Sequence, residues 1–162
     1  LTSFNETCEN AQCQTIGIDN IIWRYTNFEN FRAKYNTFSC DVYKNKLCPS
    51  EMSWQGKKMK FIFKLNGSEE LTNTLLFNFD VYYIQPLNGE YAIVDIYVNK
   101  VKVTENLEIS NTSIYTIEIP RSALKEPMKK NKIIIKGKNI KVGYGEVSPL
   151  FIIREISLER KP

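Results

Sequence analysis

Residues 58–65 read KMKFIFKL, which puts Met59, Phe61, Phe63 and Leu65 on one side of a two-residue period and Lys58, Lys60 and Lys64 on the other. Such alternation is what a half-buried antiparallel strand needs, and the Asn66-Gly67 pair that follows is a turn signal. Residues 75–84 repeat the pattern, with Leu75, Phe77, Phe79, Val81 and Tyr83 expected inward and Asn78, Asp80 and Tyr82 outward. Asn88-Gly89 marks the next turn. Further strands are expected over residues 16–25, where Ile21, Trp23 and Tyr25 share a face, and over 113–119, 132–136 and 150–158. Pro120, Pro127 and Pro149 fall between them, where a missing amide donor costs no ladder bond.

In residues 94–103, VDIYVNKVKV, the phase slips: Val94, Ile96 and Val98 alternate, and the next apolar residues are Val101 and Val103. Read as a two-residue hairpin turn at Asn99-Lys100, the slip pairs Val98 with Val101 and Ile96 with Val103 on the core face, and sets Tyr97 beside Lys102 on the other. A bulge is the alternative, and it would continue the same strand through Val103. The hairpin is preferred because it registers both valine pairs.

One helix signal interrupts the strands. Thr26 and Glu29 form a capping-box pattern, and Phe28, Phe31 and Tyr35 follow at helical spacing. Residues 36–57 form an aromatic, cysteine-containing excursion with Phe38, Tyr43 and Trp54, and residues 1–15 a polar arm or stapled loop. Seven or eight alternating strands without helical crossovers predict an all-β antiparallel sandwich with one short helix and a cysteine-rich N-terminal third. The expected organisation is one domain over 1–162: an arm at 1–15, the sandwich over 16–158 with a 26–57 excursion, and a tail at 159–162.

The second half resembles the galactose-binding-like jelly rolls of many carbohydrate-binding modules. The residues that carry the likeness are Val94 to Asn99, then Tyr115-Thr-Ile-Glu-Ile-Pro-Arg-Ser-Ala-Leu124, then Asn131 to Ile135, then Phe151 to Leu158. The resemblance spans about residues 71–158 and implies a sandwich of jelly-roll type with carbohydrate among its ligand classes. The chain departs from the family at Asn99-Lys100, where glycine is usual.

Composition narrows the chemistry. The 162 residues are 43% hydrophobic and 12% aromatic with four alanines, enough for a core and poor in helix formers. A net charge of +4, spread along the chain, gives nucleic-acid binding little support. The absence of histidine removes the usual general base near neutral pH and the commonest metal ligand, so serine-histidine and cysteine-histidine catalysis are excluded. No run approaches the roughly 18 apolar residues of a membrane helix. The chain starts at Leu1 with no signal-peptide pattern, as expected of a secreted form whose leader has been removed, or of an excised fragment.

Four cysteines, Cys8, Cys13, Cys40 and Cys48, all lie in the first third and read as two disulfides of an exported protein. Three pairings are open; the local pairs, Cys8 with Cys13 and Cys40 with Cys48, are favoured because each would staple a loop with little periodicity. Zinc fits the spacings poorly, and reduced buried thiols would fit a cytosolic chain. Sequons at Asn5, Asn66 and Asn111 agree with export.

Aromatic side chains stack on sugar rings, which makes Trp54, Tyr82, Tyr97 and Tyr144 the candidate ligand-binding residues, set against the plainer reading of outward strand tyrosines. Asp80, Glu90, Asp95 and Glu155 offer oxygen ligands for a structural calcium, yet nothing in their spacing resembles a calcium loop, and no other cofactor or metal site is expected. Asp80 with Asp95, on neighbouring strands, is the carboxylate pair a glycosidase would need, a pair any acidic β-protein offers. The lysines Lys58, Lys60 and Lys64 either attract an anionic polymer or, as preferred, discourage edge-to-edge association. The expectation is therefore a non-catalytic extracellular or cell-surface module that recognises a glycan or surface protein. The alternative is a self-assembling subunit of a filament or layer, with residues 1–18 adding as a strand to a neighbour's sheet.

Overall fold

Alternating strands bury one face each only by stacking against a second sheet. A computed structural model describes residues 5–9, 12–18, 20–26, 38–42, 58–67, 74–141 and 147–162. It shows eleven strands in two sheets: β1 Asn5–Glu9, β2 Gln12–Ile18, β3 Ile21–Thr26, β4 Phe38–Asp41, β5 Lys58–Lys64, β6 Leu75–Gln85, β7 Ala92–Val98, β8 Val101–Ile109, β9 Ile114–Ile119, β10 Lys130–Gly137 and β11 Leu150–Arg160. One sheet runs β1-β2-β3-β11-β6-β9 and the other β4-β5-β10-β7-β8.

Setting aside β1, β2 and β4, the remaining eight strands taken in chain order fall as 1-8-3-6 and 2-7-4-5. That order is the all-β sandwich of jelly-roll type, in which successive strands cross between the sheets except at the β7–β8 hairpin. The hairpin β1–β2 extends the first sheet beyond β3. The short β4 extends the second and pairs with β5 in parallel, so the sandwich is not wholly antiparallel. A parallel neighbour needs a crossover of a dozen or more residues, and residues 42–57 provide that length.

The core lies between the sheets and is aromatic at one end. Trp23 of β3 lies with ring centroids 6.3 Å from Phe61 and 5.8 Å from Phe63 on the facing sheet, and 6.3 Å from Phe77 on its own. The expected inward residues of β5, Met59, Phe61 and Phe63, are all buried, as are Leu75, Phe77, Phe79 and Val81 of β6. Tyr83, expected inward, is instead 44% exposed. Register shifts between β6 and β11 around Ile152 and Ile153 interrupt the alternation there.

The expected 16–25 strand is two strands, with Ile18 opposite Ile21 across a turn. Of the expected helix, Thr26 is the last residue of β3, and residues 27–35 lie outside the described residues. A short helical element among the described residues is the three-residue 3-10 turn Arg121–Ala123. Asn88-Gly89 forms a tight turn with both residues at positive φ, closed by paired hydrogen bonds between Leu87 and Glu90, and it delivers the chain from β6 into β7 of the other sheet. Asn99 and Lys100 have φ of 49° and 72°, so the slip is a two-residue hairpin turn with Val98 opposite Val101 and Tyr97 opposite Lys102. Ile96, however, faces Thr104 rather than Val103, because the ladder shifts register beside Ile96, and Val101 is 42% exposed at the start of an edge strand.

Candidate functional site

The outer face of the five-stranded sheet is built by two strands of the same pattern. Residues 58–64 and 130–136 both read Lys-x-Lys-x-Ile-x-Lys. Antiparallel pairing sets Lys136 opposite Lys58, Ile134 opposite Lys60 and Lys132 opposite Ile62. On the other side of β10, Ile134 faces Tyr97 and Lys136 faces Asp95. A groove of about 590 Å³ runs over this face, with Tyr97 and Ile134 half-buried in its floor and Lys58, Lys132 and Lys136 along it. Lys100 and Lys125 close the end at which the β7–β8 turn lies.

A hydrogen-bonded asparagine pair holds that end. Asn131, fully buried, accepts from the amide of Lys125 at 2.9 Å and from Asn99 Nδ2 at 2.7 Å. Asn99 Nδ2 also donates to the carbonyl of Ala123 at 2.8 Å, while Asn99 Oδ1 accepts from the amide of Lys132 at 2.8 Å. The turn, the 3-10 segment and the start of β10 are thereby tied together. Three of the groove lysines, Lys100, Lys125 and Lys132, follow directly in sequence from these residues or belong to the network.

Beside the groove, Lys102 Nζ sits 5.7 Å from the centre of the Tyr97 ring, a cation–π contact. It also lies 3.4 Å from Glu105 and 3.7 Å from Asp95. Asp95 is only 4% exposed. Burial pushes its carboxyl up, but the amide of Asn106 at 2.8 Å and the charges of Lys138 and Lys102 outweigh that and hold it below its usual value. Asp95 is thus satisfied by Lys102 and Lys138. None of the described carboxylates forms an ion pair with the five groove lysines.

The outer face of the six-stranded sheet is different in kind. Thr116 Oγ1 donates to Asn78 Oδ1 at 2.6 Å, and Asn78 Nδ2 donates to Ser157 Oγ at 3.2 Å, a polar ladder across three strands. Arg154 Nε donates to Asp80 at 2.7 Å, and Arg24 Nε lies 3.6 Å from Glu155. Desolvation, reinforced by Asp80, raises the Glu155 carboxyl despite the opposing pull of Arg24 and Arg154. The hollow here, about 250 Å³, mixes both signs of charge.

These placements correct several expectations. Asp80 and Asp95 are not on neighbouring strands: β6 and β7 belong to different sheets, and the two carboxylates lie on opposite outer faces. Tyr82 and Tyr97 are separated in the same way and share no surface, since the chain crosses from one sheet to the other between β6 and β7. Of the four oxygen ligands considered for calcium, Asp80 and Glu155 are cross-strand neighbours, Glu90 is in the Leu87–Glu90 turn, and Asp95 lies beneath lysines. No group of three or more His, Cys, Asp or Glu among the described residues is arranged to hold a metal.

Trp54, Tyr144 and Cys48 lie outside the described residues. The backbones of Cys8, Cys13 and Cys40 are described, and Cys8 and Cys13 are direct cross-strand partners in β1–β2. Asn66 and Asn111 are exposed, whereas Asn5 belongs to β1. No helix among the described residues is long and apolar enough to cross a membrane.

Of the groove residues, sequence reasoning singled out Lys58 and Tyr97 but missed Lys100, Lys125, Lys132, Ile134 and Lys136. The second copy of Lys-x-Lys-x-Ile-x-Lys was the available signal. The edge-guard account of the lysines also fails on position: β10 lies between β5 and β7, and β5 between β4 and β10, so neither is an edge. No protein-family model and no curated protein sequence matches the chain.

Proposed function

We propose that the protein is a non-catalytic extracellular or cell-surface recognition module whose ligand, a glycan or a glycan-bearing surface partner, lies on the outer face of the five-stranded sheet. The observation that carries this reading is Tyr97: an outward, half-buried ring in the floor of an open groove, steadied by Lys102 and flanked by Ile134. A ring in that position offers an apolar face for a sugar and a hydroxyl for a polar contact. The resemblance of the second half to carbohydrate-binding jelly rolls points to the same ligand class.

The test is a glycan array with two variants. Tyr97→Ala should lose most of the signal and Tyr82→Ala, on the other sheet, should keep it; the reverse result would discard the site.

Disulfides and export belong to the same proposal. A disulfide joins Cα atoms about 4.4–6.8 Å apart, a span that directly opposed antiparallel positions meet. The Cys8–Cys13 register therefore supports the local pairing. Mass spectrometry of peptides from the unreduced protein should recover residues 8 and 13 linked.

A second reading, assembly by strand addition, draws on β1, which stands at the edge of the six-stranded sheet. The arm it would use is already paired in its own chain, with β2 along β3. Negative-stain microscopy separates the two readings. Polymers that disappear when the chain is truncated before Ile16 would favour assembly, and a monomer would favour the module.

A further inference from the structure

The glycan reading, on which this inference rests, leaves the ligand's charge open, and the groove answers it. Lysines Lys58, Lys100, Lys125, Lys132 and Lys136 line it, and among the described residues no carboxylate does. We propose that the groove binds a linear polyanionic glycan, with sulfate or carboxylate groups against these lysines and a sugar ring over Tyr97.

Three features argue that the charge is there for a ligand. Lys58 and Lys136 are directly opposed on adjacent strands, an arrangement that destabilises a sheet. Both strands are interior, so the lysines guard no edge. Lys100 holds a φ of 72°, where glycine fits at least cost, and the side chain gained by that strain lines the groove. Meanwhile the opposite outer face of the sandwich pairs its charges, Arg154 with Asp80 and Arg24 with Glu155. The imbalance therefore belongs to one face, although the net charge of the whole chain is only +4.

The residue types narrow the partner. No arginine lines the groove among the described residues, so planar, bidentate recognition of single phosphates or carboxylates is not what they offer; they offer hydrated point charges, suited to groups strung along a polymer. Tyr97 is the single aromatic residue among the described residues of the groove, whereas single-stranded nucleic acid is held on platforms where successive bases stack. Ile134 and Tyr97, the apolar residues described in the groove, are half-buried, which gives a bilayer little to take in there.

The experiment measures binding of the full chain to dextran sulfate, polygalacturonate and unmodified dextran, with a thymidine oligonucleotide and phosphatidylserine vesicles as competitors. The two sulfated or carboxylated polymers should bind and unmodified dextran should bind far more weakly. Affinity should fall by on the order of a hundredfold between about 50 and about 200 mM salt, as expected when roughly four cations displace counterions. Lys132→Gln with Lys136→Gln should weaken binding at least about tenfold, and Arg154→Gln, which removes the same kind of charge from the other face, should not.

Lys100→Gly keeps the test independent of misfolding, because it should raise the melting temperature while lowering affinity several-fold. Salt-insensitive binding to unmodified dextran that Tyr97→Ala abolishes would overturn the polyanion and leave the glycan reading standing. Absence of binding to any polysaccharide overturns both. Preference for the oligonucleotide or the vesicles overturns the inference and gives the face to that partner.

Discussion

Lys100 shows how one residue can serve the surface at the expense of the fold. A side chain in the left-handed region costs about 1–2 kcal/mol, and glycine's extra unfolded-state entropy returns about 0.5–1 of it. Lys100→Gly should therefore stabilise the protein by about 0.5–1 kcal/mol in denaturant titration, and a loss of stability would show that the lysine side chain supports the turn. Trp23 illustrates the opposite case. It is 2% exposed and bridges the two sheets through Phe61, Phe63 and Phe77, so Trp23→Ala should cost about 3–5 kcal/mol. Its inward position was legible from alternation with Ile21 and Tyr25. Its partners were not, because the facing sheet is contributed by strands distant in sequence.

At the scale of the element, two carboxylates should give opposite pH dependences. Asp95, held by the Asn106 amide and two lysines, has a folded value below the roughly 3.9 of an unfolded aspartate. Its contribution is complete above that pH and is lost as pH falls through the folded value. Glu155 is raised above its unfolded value, so its protonated form favours folding and stability declines as pH rises through that range. Asp95→Asn should cost about 1.5–3 kcal/mol at neutral pH and flatten the acid limb of a stability profile, whereas Glu155→Gln should be neutral or stabilising at pH 7. Unchanged acid sensitivity in Asp95→Asn would reject the first assignment. Across β10 and β5, Lys58→Glu replaces the like-charged pair with Lys136 by an opposite one without setting a carboxylate against Asp95, and should gain about 0.2–1 kcal/mol in the same titration.

The eight strongly patterned strands could be read from alternation alone, since burial on one face writes a two-residue period into the sequence. The additional strands could not. Asn5–Glu9 and Gln12–Ile18 are largely polar, and Phe38–Asp41 is too short to show a period. The hairpin at Asn99-Lys100 was legible as a slipped phase, but the shift that sets Ile96 against Thr104 was not, because a bulge is chosen by the ladder and leaves no fixed mark in composition.

For the whole molecule, the jelly-roll order makes the last strand central. Leu150–Arg160 pairs with Ile21–Thr26 on one side and Leu75–Gln85 on the other, so a chain ending before residue 150 should not fold. A chain starting at residue 20 should still unfold cooperatively, since it keeps all eight strands of the jelly-roll order. Circular dichroism and thermal melts of the two truncations test the pair of outcomes; a folded C-terminal truncation would contradict the topology. Such non-local pairing also implies refolding in milliseconds to seconds rather than microseconds, measurable by stopped-flow fluorescence of Trp23 and Trp54.

The sequence by itself determined the eight alternating strands, most of their inward faces, the outward Tyr97 and the turn beside it, because each follows from local periodicity and backbone preference. It also excluded histidine-based chemistry. Tertiary structure decided which outward residues share a surface. Tyr82 and Tyr97, only fifteen positions apart, went to opposite faces, as did Asp80 and Asp95. Lys58 and Lys136, far apart in the chain, became direct neighbours. Alternation records only that a residue faces away from the core. Which sheet carries it, and beside which strand, is set by how the chain crosses the sandwich, and that choice gathered the lysines around Tyr97.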